Sequence, residues 1–118
     1  MVTFVGAEYI IANVLIALKK SQNRSKISFG ELNDLGIFIQ KMSIEKGVDA
    51  VFLTSQDQMA SALFDFSDYF EYSEMDRSIC IKRTKRVNDL ASRFVGYLPW
   101  DVLSFLVETT NEFAHKVG

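Results

Sequence analysis

The same helix-start pattern occurs twice in this chain, and it fixes where two helices begin. In Ser28-Phe-Gly-Glu31 the serine oxygen can accept a hydrogen bond from the Glu31 amide, while the glutamate reaches back to the Ser28 amide. Ser55-Gln-Asp-Gln58 offers the same reciprocal chemistry. Gly47 supplies the left-handed residue that commonly ends a helix. The sequence therefore predicts one helix from Ser28 to about Gly47 and another from Ser55.

The other elements follow from the spacing of apolar residues. A first helix is predicted from about Ala7 to Lys20, and two more follow residue 86, the last beginning near Pro99. The run Val48 to Leu53 predicts a short strand, and apolar alternation on both sides of the polar turn 73–78 predicts a β-hairpin. About five helices with one short strand and a hairpin make a helix-dominated α+β fold.

Length and composition favour one domain. With 118 residues, one proline and six scattered glycines, the chain has no linker or repeat at which to divide, so residues 1–118 are expected to form a single compact globular domain. The lone Cys80 cannot form an intramolecular disulfide, which favours a cytoplasmic location. The apolar stretch Val2 to Leu18 is interrupted by Glu8 and Asn13 and is short for a span, so no membrane association is expected.

Groups suited to catalysis are scarce. The single histidine, His115, lies three residues from the end of the chain, where a general base for a serine or Cys80 nucleophile is not expected. One cysteine and one histidine do not make a zinc site, and Asp65 and Asp68 lack a calcium-binding loop around them. Glycine motifs that cradle phosphate are absent from the sequence. We therefore expect no enzyme activity, no metal and no cofactor.

Charge is segregated in the middle of the chain. Residues 47–76 contain no lysine or arginine, and their acidic residues are Asp49, Asp57, Asp65, Asp68, Glu71, Glu74 and Asp76. Residues 77–93 then carry six basic residues and one acidic residue. Such a one-sign block creates a local field that can attract a partner or repel a wrong one. The net charge of −2 lacks the basic excess of a protein that mainly grips phosphates.

Aromatic residues are concentrated within the acidic block. Residues 64–72 hold five aromatic side chains among three carboxylates, more than one face of a helix or strand can bury. The inner face of the helix that begins at Ser55 is expected to hold Met59, Ala62, Leu63, Phe66 and Phe70. The remaining aromatic rings are expected at the surface, where they can anchor a partner. The predicted partner-binding residues are Phe64, Asp65, Asp68, Tyr69, Glu71 and Tyr72.

These observations predict a small non-enzymatic regulatory protein. It would act as an adaptor, an inhibitor or an immunity-type protein, and it would bind another protein with a basic surface through its acidic-aromatic surface. An acidic surface of this kind can also imitate nucleic acid. Because a mean hydropathy of +0.08 is high for so short a chain, we expect a homodimer or a stable hetero-complex, with an interface on the first or last helix.

A nucleic-acid-binding regulator is the alternative. The order of a helix, the short apolar Ile27-Ser-Phe29, two helices and a hairpin loosely resembles a winged-helix DNA-binding domain. This resemblance implies that the hairpin is the wing, with phosphate contacts from Arg77, Lys82, Arg83, Lys85 and Arg86. Against it, the helix that would enter the major groove is acidic and carries no cation. The basic run 82–86 is more simply explained as a solvated patch that neutralises the acidic segment, with side chains that diverge.

Overall fold

Helices dominate the structure, and two small sheets complete it. The computed structural model describes residues 2–94 and 96–117. In chain order the elements are β1 (Thr3–Val5), α1 (Ala7–Gln22), β2 (Lys26–Ser28), α2 (Phe29–Glu45), β3 (Ala50–Phe52), α3 (Gln56–Asp65), β4 (Phe70–Ser73), β5 (Ser78–Ile81), α4 (Val87–Phe94) and α5 (Trp100–Lys116). The five helices make up 58% of the chain, which confirms the predicted helix-dominated α+β fold.

α1 is the central helix, and most of its surface is buried. Its buried residues are Ala7, Ile10, Ile11, Ala12, Val14, Leu15, Ala17 and Leu18. α5 packs along it, and α3, α4 and β2 also contact it. A helix that is apolar on most sides is stable in water only when neighbours cover it, and here those neighbours form one core. None of the described helices combines the length and the apolar character that a membrane span requires.

Both predicted capping boxes are present and start their helices where the sequence places them. At α2, Ser28 Oγ accepts from the Glu31 N–H at 3.1 Å, and Glu31 Oε1 accepts from the Ser28 N–H at 3.1 Å. At α3, Ser55 and Gln58 form the same reciprocal pair at 3.0 and 3.2 Å. Gly47 follows the end of α2 with a φ of +62°, the conformation predicted for a residue that closes a helix.

Two small sheets lie beside the helices. β1 and β3 form a parallel pair in which Phe4 is opposite Val51. β5 lies between β2 and β4 and is antiparallel to both, so the predicted hairpin of β4 and β5 gains a third strand. β3 and the hairpin are predicted elements, whereas β1 and β2 are not predicted as strands.

The end of α3 differs from the prediction in one respect. The buried or half-buried face of the helix consists of Met59, Ala62, Leu63 and Phe66. Phe70 is only 4% exposed, as predicted for a core residue, but it lies on β4 and not on the helix. α3 ends at Asp65 because Phe66 leaves the helical region, with φ −111° and ψ 36°. The chain therefore turns into the hairpin one helical turn earlier than the apolar spacing suggests.

Candidate protein-binding surface

The outer face of α3 combines one aromatic ring with carboxylates. Phe64 is 82% exposed. Asp57, Ala60 and Ser61 precede Phe64 by seven, four and three residues, so they lie on the same side of the helix, and all three are exposed. Asp65 follows Phe64 directly and is also exposed. Because α3 contains no lysine or arginine, this outer face carries charge of one sign.

A surface pocket of ≈ 330 Å³ lies between α3 and the first turn of α1. Three carboxylates, those of Glu8, Asp57 and Asp65, line it, and we call it the acidic pocket. Gly6 and Leu53 also line it and directly follow β1 and β3, so the pocket lies at the carboxyl ends of the parallel strands. The carboxyl ends of parallel strands are a common position for binding sites.

Glu8 is a member of this pocket that sequence reasoning misses. It lies in the first turn of α1, where the positive end of the helix dipole stabilises a carboxylate. A Cβ at position 6 would overlap the Glu8 carboxylate, so Gly6 leaves the space that this carboxylate occupies. No local pattern links α1 to α3, so only the fold brings Glu8 to Asp57 and Asp65.

Tyr69, one of the predicted partner-binding residues, is half-buried and contacts two cations. Arg93 Nη1 donates a hydrogen bond to Tyr69 Oη at 3.0 Å, and its guanidinium lies 5.4 Å from the ring centroid. Lys85 Nζ lies 5.0 Å from the same centroid. Cation–π contacts of this kind attract the basic segment to the aromatic one. Tyr69 therefore links the acidic block to the basic run within the molecule.

Asp68 and Glu71 lie beyond the end of α3. Asp68 is exposed in the turn that leads to β4. Glu71 is exposed on β4 and lines a second surface pocket, of ≈ 380 Å³, together with Lys82 and Arg83. The charge in this second pocket is therefore mixed, unlike the charge in the acidic pocket.

Tyr72 completes the predicted set, and it lies on the hairpin. Its ring is 41% exposed and packs edge to face on Phe29, with the ring centroids 5.3 Å apart. Met75 in the hairpin turn is 99% exposed. The structure thus brings Phe64 and Asp65 together on α3, whereas Tyr72 belongs to a separate part of the surface built by the hairpin.

Asp76 shows that part of the acidic block has a structural role. Its carboxylate accepts hydrogen bonds from Ser78 Oγ at 2.6 Å and from Lys26 Nζ at 2.9 Å. These two bonds, with one from Ser73, hold the pKa of Asp76 well below its usual range. Since Lys26 belongs to β2, Asp76 joins the hairpin turn to the neighbouring strand.

The side chains of the basic run point to different neighbours. Lys82 and Arg83 line the pocket that contains Glu71, and Lys85 lies over Tyr69. Arg86 lines a groove beside α1. Arg77 stands apart in the hairpin turn, where it adopts a φ of +50°. These five predicted phosphate contacts therefore do not share one face, and their binding to nucleic acid stays a prediction.

The helices implied by the winged-helix resemblance are also separated. A helix-turn-helix joins its two helices by a turn of about 3–4 residues. Here residues 46–55, which include β3, lie between α2 and α3. The exposed side of α3 remains acidic, so its charge opposes contact with phosphates. The charge of this helix therefore opposes the contact with DNA that the winged-helix resemblance implies.

Cys80 and His115, the groups considered for catalysis, lie on different elements, β5 and α5. Cys80 is half-buried on β5, and burial, followed by the nearby Glu71 charge, raises the pKa of its thiol. A raised pKa disfavours the thiolate that acts as a nucleophile. His115 is exposed near the end of α5. Within residues 2–94 and 96–117, no group of three histidine, cysteine or carboxylate side chains is placed to hold a metal ion.

The last helix presents an apolar groove to solvent. The groove has a volume of ≈ 200 Å³, and its lining includes Trp100, Leu103 and Val107. Trp100 is 79% exposed and Val107 is 39% exposed.

Comparisons with protein-family models, curated proteins and solved structures give no match.

Proposed function

We propose that the protein is a non-enzymatic binding protein that docks the outer face of α3 onto a basic surface of another protein. The observation that carries this proposal is the 82% exposure of Phe64 on a helix face without cations. Fully burying a phenylalanine side chain contributes about 1.5–3 kcal/mol, and aromatic residues are frequent anchors of interfaces. On this face of α3, Phe64 is therefore the residue whose burial by a partner contributes most.

The charges around Phe64 specify what kind of partner fits. Asp57, Asp65 and Glu8 line the acidic pocket beside this face. A lysine or arginine side chain of the partner that enters the pocket meets three carboxylates, while Phe64 enters an apolar recess on the partner. An apolar centre with a charged rim is the usual anatomy of an interface, and the rim charges speed association and select the partner. An adaptor, an inhibitor or an immunity-type protein can work through such a surface.

Site-specific photo-crosslinking in extracts of the source cells tests this proposal. A photoreactive phenylalanine analogue replaces Phe64 in one variant and Ile44 in a control variant. Ile44 lies on α2 and is 80% exposed, so it matches Phe64 in accessibility. We expect a discrete protein partner to crosslink at position 64 and not at position 44.

Asp57→Lys with Asp65→Lys, or raised salt, should abolish the crosslink. Equal crosslinking at both positions, or no effect of the charge reversals, would show that the proposal is wrong.

We further propose that the apolar groove of α5 is covered in a homodimer. Trp100, Leu103 and Val107 support this, because a large exposed aromatic beside aliphatic side chains gains free energy when a second copy covers it. Sedimentation equilibrium of the wild type, Trp100→Glu and the control Ile44→Glu provides the test. We expect dimers of the wild type and the control, and monomers of Trp100→Glu. A monomeric wild type at all concentrations would refute this proposal.

A further inference from the structure

A second charged surface lies at the other end of α1. A groove of ≈ 290 Å³ runs between the last turns of α1 and the loop that leads into α4. Its lining residues are Ile16, Lys19, Lys20, Arg86 and Asn88, and we call it the basic groove. None of these residues is acidic. The two lysines and Arg86 come from distant parts of the sequence, so the fold creates this concentration of positive charge.

The three cations of the basic groove form no ion pair within 4.0 Å in the described part of the chain. Among the described residues, the ion pairs within 4.0 Å involve Arg24, Lys26 and Lys116. Lys19, Lys20 and Arg86 form none of these pairs, and all three are exposed. Like charges that converge repel one another, and a bound anion relieves that repulsion.

Helix electrostatics explains the two lysines only in part. The negative end of the α1 dipole favours cations in its last turn. However, the carbonyl oxygens of Leu18 and Lys19 accept hydrogen bonds from the Arg24 and Asn23 amides at 3.2 and 3.1 Å, which reduces the negative potential there. The two lysines therefore carry more positive charge than one helix end, equivalent to about half of a negative charge, can offset.

Arg86 is not explained by helix electrostatics at all. It directly precedes α4, and its carbonyl accepts the first backbone bond of that helix, from the Asp89 N–H at 3.1 Å. Arg86 thus occupies the N-cap position, where the helix dipole disfavours a cation and where a small polar side chain is preferred. The side chain faces the groove that contains Lys19 and Lys20.

We propose that the basic groove binds a phosphate group of a phosphorylated ligand. The Arg86 guanidinium offers paired N–H donors that match phosphate oxygens, and Lys19 and Lys20 contribute point charges. Asn88 adds a neutral donor, and Ile16 provides apolar surface for the rest of the ligand. A free nucleotide, an inorganic polyphosphate and a nucleic-acid backbone share this chemistry. The site is independent of the proposed protein-binding function, because it uses other residues and the opposite charge.

Amide chemical-shift mapping at low ionic strength tests this site with three probes: inorganic triphosphate, ATP and a short single-stranded oligonucleotide. We expect the largest shifts at Lys19, Lys20, Arg86 and Asn88. Lys20→Glu with Arg86→Glu should weaken binding at least about tenfold, since two of three phosphate contacts are lost and reversed. The control is Lys41→Glu on α2 with Lys46→Glu directly after it, which makes the same change in net charge and should leave most of the affinity.

The outcomes separate the sources of phosphate and the two proposals. Binding of triphosphate or ATP identifies a small phosphorylated ligand, and binding of the oligonucleotide alone identifies a nucleic-acid backbone. Phe64→Ala should not alter the affinity for triphosphate, ATP or the oligonucleotide. If the basic groove binds none of these probes, the proposal for α3 is therefore unaffected. No binding to any probe, a shift map centred elsewhere, or equal loss in groove and control variants would overturn the inference. If the double reversal does not fold, Lys19→Gln with Lys20→Gln repeats the comparison.

Discussion

The two ends of α1 carry opposite charge, and their comparison separates charges that the fold explains from charges that it does not. Glu8 at the first turn and Lys19 and Lys20 at the last turn each suit the helix dipole. Asp65 and Arg86 do the opposite. Asp65 ends α3 and Arg86 directly precedes α4, so each lies at a helix terminus of the same sign as its own charge. Both line the surface sites for which we propose binding, whereas the stability of their own helices does not explain them.

α1 also sets the distance between the two sites. The acidic pocket includes residues of its first turn, and the basic groove includes residues of its last turns. Its 16 residues rise by about 24 Å in total, and its burial makes it a rigid spacer. α1 therefore supports both the acidic pocket and the basic groove, and four substitutions test how the two sites differ.

The largest effect is expected from Leu15→Ala, which weakens both ends at once. Leu15 is 1% exposed in the middle of α1, so truncation leaves a cavity and should cost about 3 kcal/mol of unfolding free energy. The control Ile37→Ala removes a side chain that is 63% exposed and should cost less than about 0.5 kcal/mol. Urea unfolding measures both. Equal costs would mean that α1 is not the shared support of the two sites.

Arg86→Asp should stabilise the fold while it removes phosphate binding. An aspartate at the N-cap of α4 satisfies backbone amides and suits the helix dipole, which together contribute about 1 kcal/mol. Arg83→Asp makes the same charge change away from a helix start and should not stabilise. Thermal unfolding and titration with triphosphate give the two readouts. A destabilised Arg86→Asp variant would show that the arginine is present for folding.

Glu31→Gln tests Arg24, a cation that follows the last turn of α1 and, unlike Lys19 and Lys20, forms an ion pair. Glu31 accepts from Arg24 at 2.6 and 2.9 Å, and this pairing, together with the Ser28 amide, lowers the pKa of Glu31. Glutamine retains the capping bond, as Gln58 does, but loses the ion pair, so we expect a cost of about 1 kcal/mol near neutral pH.

The pH dependence of the free energy of unfolding tests whether the loss in Glu31→Gln comes from the ion pair. Because the folded pKa of Glu31 lies below its ordinary 4.5, its contribution is complete above 4.5 and is lost as the pH falls through the folded value. Urea unfolding of the wild type and Glu31→Gln should therefore differ near neutral pH and converge in strong acid. A difference that persists in strong acid would assign the cost to packing.

Asp65→Lys is expected to have the smallest effect on stability and a large effect on binding. A cation at the end of α3 suits the helix dipole and should add about 0.5 kcal/mol. The same change reverses one wall of the acidic pocket and should abolish the crosslink from position 64. Asp68→Lys, in the following turn, is the control for stability and should not raise it. Calorimetric melting measures the difference, and a lower melting temperature for Asp65→Lys would contradict the dipole argument.

Local chemistry made much of the fold predictable. Ser28 and Ser55 start helices through bonds to residues three positions away, and the hairpin alternates over a few residues. The pairing of β1 with β3 was not predictable, because β1 itself shows no strand pattern and the two strands are far apart in the sequence. Phe70 was assigned correctly to the core, but the sequence fits it both to the inner face of α3 and to the first strand of the hairpin, where the structure places it.

The candidate sites show the same division. Phe64 and Asp65 are neighbours in sequence, and their place on an exposed helix face follows from helical spacing. Glu8 reaches the acidic pocket, and Lys19 and Lys20 reach Arg86, only through tertiary packing. A single sequence contains no signal for such contacts, because Glu8, Lys19 and Lys20 each suit the end of their own helix and nothing local relates them to Asp57, Asp65 or Arg86.

The parallel pairing of β1 with β3 joins distant parts of the chain. Parallel strands need a crossover, and here α1, β2 and α2 lie between the two strands, whereas the β4–β5 hairpin closes over a short turn. Closing the longer loop costs more entropy, so we expect this pair to form after the hairpin. The Leu53 N–H donates a hydrogen bond to the Val5 carbonyl at 3.0 Å, where the two strands end at the acidic pocket. The pocket that we propose for partner binding is therefore complete only when β1 and β3 have paired.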